Sequence, residues 1–346
     1  MVKVGVIGCG KIAITRHLPE YASNPDAEIA GVYDFNLERA KEVAEQYQTR
    51  AYESVEEMLN DPQIEAVSVC VRNSDHSKVT VDALRAGKHV LCEKPMAVSL
   101  DECKEMVKTA EKTGKKLMIG HNQRFNRTHM KAKELIQNGA IGKVLSFKTT
   151  FGHGGPETWT VDKKNVWFFD KRFSAFGAMA DLGVHKTDLL IFLLETKVKK
   201  VTAVLKTLDK KDAEGNLINV DDNAICIYEM ENGAVGTMTA SWTYYGEEDN
   251  STIIYGSEGI LKIYDDPNYS IVRIGKDGTK IYYELDKMQT NDNQTKSGII
   301  DSWVAAIKND TVPEVNGKDA LDAMKAIFAA SESSESGQTV EITEED

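Results

Sequence analysis

The chain has 346 residues, 41% of them hydrophobic, which is long for a single core and suits two domains. Its 42 Lys and Arg against 54 Asp and Glu leave a net charge of −12, and no basic patch interleaved with aromatics occurs, so nucleic acid and anionic membrane surfaces are disfavoured as partners. Five cysteines without a C-x-x-C pair, and no His/Cys cluster at ligand spacing, predict a reducing, cytoplasmic setting and no metal; no apolar run approaches the ~20 residues that span a bilayer.

The first predicted element is a strand through Val4-Gly5-Val6-Ile7, which runs into Gly8-Cys9-Gly10-Lys11-Ile12-Ala13 and then an amphipathic helix carrying Ile14, His17, Leu18 and Tyr21. With a strand at its very start, the chain is expected to carry no signal peptide. Strand, glycine turn and helix together read as a dinucleotide fingerprint with Ala at the third small position. Gly8 permits the tight turn, Gly10 lets a pyrophosphate approach the backbone, and Ala13 lets helix and strand pack closely. Lys11 and Ile12, inside the turn, join the glycines as cofactor contacts, with free N–H groups of the helix N-terminus facing phosphate. A second strand, Glu28–Tyr33, ends at Asp34. A carboxylate there suits the adenosine ribose hydroxyls and repels a 2′-phosphate, which argues for NAD over NADP. Asp34 otherwise reads as a cap for the helix beginning near Leu37. Arg39, one turn on, is either within reach of a 2′-phosphate or a solvated surface residue.

The chain continues with a helix over Leu37–Tyr47 and a capping-box pattern, Ser54-Val55-Glu56-Glu57. Strands Ala66–Val71, His89–Cys92 and Lys116–Ile119 then alternate with helices Val79–Ala86 and Ser99–Thr113, closed by Gly87 and Gly114. This alternation predicts an α/β fold, a doubly wound parallel Rossmann sheet over residues 1–122. Ligands of such sheets lie at the carboxyl ends of the strands. Those ends carry Asn73 with His76, Glu93 with Lys94, and Asn122, the further candidate cofactor contacts. By position alone, Lys94 is either a functional cation leaving a buried strand or an exposed lysine before a turn proline. His76 either packs over a cofactor or sits in the first turn of a helix.

From residue 123 the pattern changes. A helix over Arg127–Asn138 and a strand over Lys143–Thr150 lead to the loop His153-Gly154-Gly155-Pro156, and a helix follows over Ala180–Leu194. Lys199 to Leu285 is mainly strand, broken by hairpin turns at Glu231-Asn232-Gly233 and Lys276-Asp277-Gly278, and two helices close the chain near Gly298–Lys308 and Lys318–Ser336. Residues 123–346 are therefore expected to form an α+β domain with a large, mainly antiparallel open sheet. Asp181 and His185 are i,i+4 and share a helix face, joined by Asp188. A carboxylate beside an imidazole raises its pKa and fixes its tautomer. The same residues also read as an acid at a helix N-terminus and a satisfied core histidine; a dehydrogenase's need for a proton acceptor favours the chemical reading. Arg124, His153, Trp159 and Trp167 are candidate substrate contacts, through hydrogen bonds and ring stacking. The loop at His153 reads equally as a flexible surface loop.

GVIGCGKIA at the start, CEKPMA around Lys94, GHNQRF and DLGVHKTD together resemble the Gfo/Idh/MocA oxidoreductases, and the stretch from Val315 to Gly337 is similar to that family's closing helix. The resemblance covers essentially the whole chain. It implies a catalytic lysine at Lys94, a Lys94–Pro95 bond of the kind often cis, and an Asp/His pair at Asp181 and His185. It also implies a homodimer or homotetramer built through the C-terminal sheet. Val71-Arg72-Asn73 departs from the family's Thr-Pro-Asn, keeping only the Asn and His76, so contacts at 71 and 72 do not carry over. The expected activity is NAD-dependent oxidation of a secondary hydroxyl of a sugar or cyclitol to a ketone. His185 would take the hydroxyl proton, Lys94 would hydrogen-bond the same oxygen, and Asp181 would support the pair. Two alternatives stand beside it: an NAD-using epimerase or glycoside-cleaving enzyme with transient oxidation, and a non-catalytic dinucleotide- or sugar-sensing regulatory protein.

Overall fold

A computed structural model of the chain describes residues 1–161, 166–287 and 296–343. Six parallel strands open the chain: β1 (Val2–Ile7), β2 (Ala27–Tyr33), β3 (Arg50–Ala51), β4 (Ala66–Val69), β5 (His89–Cys92) and β6 (Leu117–Ile119). They lie in the order β3-β2-β1-β4-β5-β6, so the winding reverses between β1 and β4 and opens a crevice at their carboxyl ends. The helices between them are α1 (Leu18–Ser23), α2 (Leu37–Gln46), α3 (Val55–Asn60), α4 (Asn73–Arg85) and α5 (Leu100–Thr113). Every residue of β4 and β6 is buried, which is why these strands are written as continuous apolar runs and not as alternations. The helix starts follow their sequence signals. Ser54 accepts the Glu57 amide while Glu57 reaches back to the Glu53 amide, and Ser99 accepts the Glu102 amide. Gly114 ends α5 with φ +66°, a conformation only glycine takes cheaply.

The segment after the glycine turn differs from the α-helix expected. Ala13–His17 is a π-helical turn, and α1 begins only at Leu18. The wider turn rotates Arg16 inward beside His17, Leu18 and Tyr21, and leaves Ile14 partly exposed.

After a 3₁₀ turn at Asn122–Phe125, α6 (Arg127–Gln137) and β7 (Val144–Gly152) lead through a short α7 (Lys171–Ser174) to a second π-helical turn, Met179–Gly183, continuous with α8 (Val184–Leu194). The later strands are β8 (Val198–Lys206), β9 (Asn223–Met230), β10 (Val235–Ser241), β11 (Thr252–Gly256), β12 (Gly259–Ile263), β13 (Ile271–Gly275) and β14 (Lys280–Tyr283). Helices α9 (Ile299–Lys308) and α10 (Gly317–Ser336) precede a final β15 (Val340–Glu341). One nine-stranded sheet results, in the order β14-β13-β12-β11-β7-β10-β9-β8-β15; β7 and β10 run parallel and the other pairs antiparallel. The hairpin glycines Gly233 and Gly278 take φ of +86° and +84°, as tight turns require. In β9 the inward set Ala224, Cys226, Tyr228 and Met230 is buried, and Tyr228 meets Thr187 of α8 through their hydroxyls at 3.0 Å.

The described residues divide into two compact units. The first contains Met1–Asn122, Trp159–Val161 and the described residues of Asn291–Leu321; the second contains the remainder. A single division between 122 and 123 therefore misses the return of α9. Its apolar stripe (Ile299, Ile300, Trp303, Val304) is buried, Ser297 just before it donates to Glu20 at 2.7 Å, and Asn24 donates to Asp301 at 2.7 Å. Val315 and Asn316 extend the six-stranded sheet beyond β6: the Ile119 amide donates to Val315 O at 3.0 Å. Among the described residues no helix is long and apolar enough to cross a membrane.

Candidate functional site

The candidate residues fall into two groups, one in each unit. In the first, β1 ends in the turn Gly8-Cys9-Gly10. Gly8 has φ +98°, and a Cβ there would collide with the Cys70 carbonyl, so its glycine is required by the fold itself. Gly10 is different. No described atom lies within 4 Å of where its Cβ would be, so this glycine answers no packing need of the chain and leaves the turn open to an approaching group. Asp34, at the end of β2, is buried. Its Oδ2 accepts the Cys9 amide at 2.8 Å and its Oδ1 the Asn36 amide at 2.9 Å, tying the glycine turn to the second strand. Asn36, not Asp34, caps α2. Arg39 is not simply solvated: it stands 3.6 Å from Asp34 Oδ1, partly shielded. Asn122 Oδ1 is a buried acceptor with no partner among the described residues. An open turn, a fixed carboxylate and an orphaned acceptor at the strand ends fit a dinucleotide: Gly10, Lys11 and Ile12 for the phosphates, Asp34 for the ribose.

The ends of β4 and β5 are bound to each other. His76, wholly buried in α4, lies with Nδ1 2.7 Å from Pro95 O and Nε2 3.2 Å from Val71 O, so the ring clasps both turns. Burial lowers its pKa, and the neutral ring donates to only one of these carbonyls. Asn73 is buried as the first residue of α4, while Arg72 turns outward and pairs with Asp75 at 3.2 Å. The Lys94–Pro95 bond is cis and Lys94 is half-buried. Glu93 Oε2 accepts the Lys94 amide at 3.1 Å, and a Cβ on Gly120, just after β6, would sit 3.0 Å from the Glu93 carboxyl, a close fit that a glycine eases.

Glu93 belongs to a buried polar chain that the sequence did not disclose. His17 Nε2 is 2.9 Å from Glu93 Oε1, His17 Nδ1 is 3.1 Å from Ser68 Oγ, and Ser68 Oγ is 2.8 Å from Tyr21 OH. Arg16 adds its charge at 3.7 Å. Burial alone would raise the Glu93 carboxyl, but the hydrogen bond and charge of His17, with Arg16 and Lys94, hold it at about 2. The available signals were a lone Ser in the apolar β4 and a His on the inward face of the first helix.

In the second unit Asp181 and His185 are both buried, Asp181 in the π turn and His185 in α8. The indole of Trp242 donates to Asp181 Oδ2 at 3.1 Å. Phe151 lies 5.9 Å, centroid to centroid, from both His185 and His153, so one ring sits beside two imidazoles. The loop after His153 is not loose: His153 Nδ1 accepts the Gly155 amide at 3.0 Å, and Lys210 donates to Gly154 O at 2.5 Å and pairs with Glu157. Trp167 stacks on Phe168 at 3.8 Å, and Phe168 and Phe169 both approach Trp242. Trp159 is half-buried and groups with the first unit. Arg124 forks onto Asp188 at 2.9 and 2.6 Å, both buried, so two of its guanidinium nitrogens are spent on this bridge. Asp188 therefore holds Arg124 from the helix that also carries His185.

Residues 2–121 match the family model described as "Oxidoreductase family, NAD-binding Rossmann fold", and residues 129–262 match the GFO/IDH/MocA C-terminal domain. The chain belongs to the Gfo/Idh/MocA oxidoreductase family. It comes from a family of oxidoreductases, and its residues 2–121 carry that family's NAD-binding Rossmann fold. It is 26% identical to myo-inositol 2-dehydrogenase of Thermotoga maritima over 99% of each chain. It is 33% identical to glucose-6-phosphate 3-dehydrogenase of Bacillus subtilis over 67% of this chain and 65% of that one. A levoglucosan dehydrogenase solved with NADH and levoglucosan shares the Gfo/Idh/MocA fold, with a TM-score of 0.88 at 23% identity over 99% of this chain and 100% of that one.

Proposed function

We propose that this dehydrogenase oxidises a secondary ring hydroxyl of a sugar or cyclitol to the ketone, with Lys94 and His185 handling the hydroxyl proton. The observation that carries the reading is the full-length likeness to an inositol dehydrogenase, in a chain whose Lys94 leaves β5 and whose Asp181 and His185 are buried in one helical segment. When bound, NAD supplies the hydride acceptor. Asp34 and the Gly8–Gly10 turn hold its ribose and phosphates, and the carboxylate disfavours the 2′-phosphate of NADP. His185 accepts the hydroxyl proton as the carbon gives up hydride, and Lys94 donates a hydrogen bond to the same oxygen, stabilising its developing negative charge. Asp181 supports the imidazolium that forms. His153, Trp159 and Trp167 contribute polar and aromatic surface for a polyol, and Arg124 acts through the stretch it braces with Asp188.

A second copy of the chain is the proposed partner. The sheet face turned away from α8 exposes Val204, Ile225, Ile227 and Val235; Val204 stands opposite Ile225 across β8 and β9. Exposed aliphatic side chains on an open sheet, here interleaved with threonines, favour burial against another such face.

The test is NADH formation at alkaline pH over myo-inositol, scyllo-inositol, glucose and their derivatives, with NADP in parallel. A strong rate with NAD is expected, falling at least about a hundredfold in Lys94→Ala and in His185→Ala while NAD affinity holds. Near-normal turnover in both variants would sink the assignment. Turnover of a substrate without NADH accumulation would favour transient oxidation instead.

A further inference from the structure

We propose that Asp221 and Trp242 are positioning residues for Asp181 and His185, acting through backbone and indole hydrogen bonds without touching substrate. The inference deepens the reading that these two residues carry the proton chemistry, and rests on it. Three successive amides just ahead of the Asp181 turn end on one residue. Gly177 N donates to Asp221 Oδ1 at 2.7 Å, Ala178 N to Asp221 O at 2.8 Å, and Met179 N to Asp221 Oδ2 at 2.8 Å. Gly177 has no space for a side chain, because a Cβ would run into the Asp221 carbonyl. The helical segment thus has no cap of its own: its first amides are satisfied from the loop that leads into β9.

The next residue continues the arrangement. Asp222 O accepts the Trp242 amide at 2.8 Å, and the Trp242 indole is the donor to Asp181. The Asp222 carboxylate accepts the amides of Leu208, Asp209 and Lys210, and Lys210 pins the loop after His153. Two adjacent aspartates therefore fix the segments that bear Asp181, Trp242 and His153. Burial, reinforced by the neighbouring Asp222, pushes the Asp221 carboxyl up to about 6 in spite of the amide bonds that favour its charge. A carboxylate kept at an unfavourable place in the core is expected where its placement serves a site more than stability.

Two variants test this in the full chain saturated with NAD. Asp221→Asn keeps shape but turns an NH₂ group toward an amide, and Trp242→Phe keeps the ring but removes the donor to Asp181. Hydrogen exchange of residues 177–181 is expected to speed up at least about tenfold in Asp221→Asn, with β9 unchanged. In both variants kcat, read with whichever polyol of the panel above turns over, is expected to fall at least about tenfold while KM for NAD hardly moves, and the urea midpoint falls modestly from the orphaned amide or the smaller ring. A merely structural role would lower the urea midpoint and spare kcat. Wild-type exchange at 177–181, or wild-type kcat in folded Trp242→Phe, would overturn the inference. His185→Ala in the same assay separates the two ideas: if it loses turnover while Trp242→Phe is silent, the positioning role alone fails, and if it keeps turnover, both fail.

Discussion

His17 and Glu93, 76 positions apart in sequence, meet at 2.9 Å in the interior of the first unit, and Glu93 in turn holds the amide of Lys94. The acid is depressed from 4.5 to about 2 because its hydrogen bond and charge interaction with His17, aided by Arg16, outweigh its desolvation. A carboxyl whose pKa falls on folding stabilises the folded state above its unfolded value, and loses that contribution as pH falls from about 4.5 towards 2. Glu93→Gln should therefore lower the urea midpoint clearly at pH 7, and the gap from wild type should close as the pH drops below 4. A gap independent of pH would show that the charge is not what stabilises this cluster.

Gly8 and Gly10 look alike in the sequence and differ in the structure. At Gly8 an alanine meets both a left-handed φ and the Cys70 carbonyl. Gly8→Ala should destabilise the first unit by several kcal/mol, since the φ alone costs about 1–2. At Gly10 an alanine enters open space. Gly10→Ala should leave the thermal midpoint within a few degrees of wild type and weaken NAD binding at least about tenfold, read by calorimetry. Unchanged NAD affinity in Gly10→Ala would remove this turn from the cofactor site.

On the proposed cofactor site, selectivity would turn on Asp34 and its neighbour Arg39, 3.6 Å away. Removing the carboxylate frees the guanidinium and ends the repulsion of a 2′-phosphate. Asp34→Ser should raise the NADP-to-NAD ratio of kcat/KM on the order of tenfold or more, at some cost in stability because the Cys9 amide loses an acceptor. A ratio unmoved by the substitution would mean that selectivity lies elsewhere.

How much of this was legible beforehand depends on the range of the interaction. The strand ends at Asp34, Asn73, Lys94 and Asn122 could be read because apolar strand and capped helix are short-range patterns that fix where each loop begins. The two π turns could not. No residue preference announces them, yet each shifts a face by one position, bringing Arg16 inward beside His17 and altering the i,i+4 relation of Asp181 to His185. Pairings across tens of residues were equally hidden. The fork of Arg124 onto Asp188 joins residues 64 positions apart, and α9 reads as part of the second domain although it packs against α1 and β1. Trp242 looked like one more strand residue, and only its depth and its indole reveal a link to Asp181.

The open face of the nine-stranded sheet carries the last prediction. Ile225 and Ile227 are each more than half exposed, and alternate along β9 with side chains that are fully buried. On this outward side of β9 the two isoleucines stand between Asn223 and Glu229, and in a monomer each would forfeit part of the about 1.5–3 kcal/mol that full burial of such a side chain is worth. Burying them against the same face of a second copy satisfies both chains with one symmetric contact. Light scattering after size exclusion should give at least twice the chain mass for the wild type, and Ile227→Glu should shift it to the monomer, because a carboxylate at a buried self-facing position meets its own copy. The substitution points away from Tyr228 and the core, so NAD binding should persist in the monomer. A wild-type chain that is already monomeric at micromolar concentration would leave the exposed isoleucines to another partner and would rule out this one.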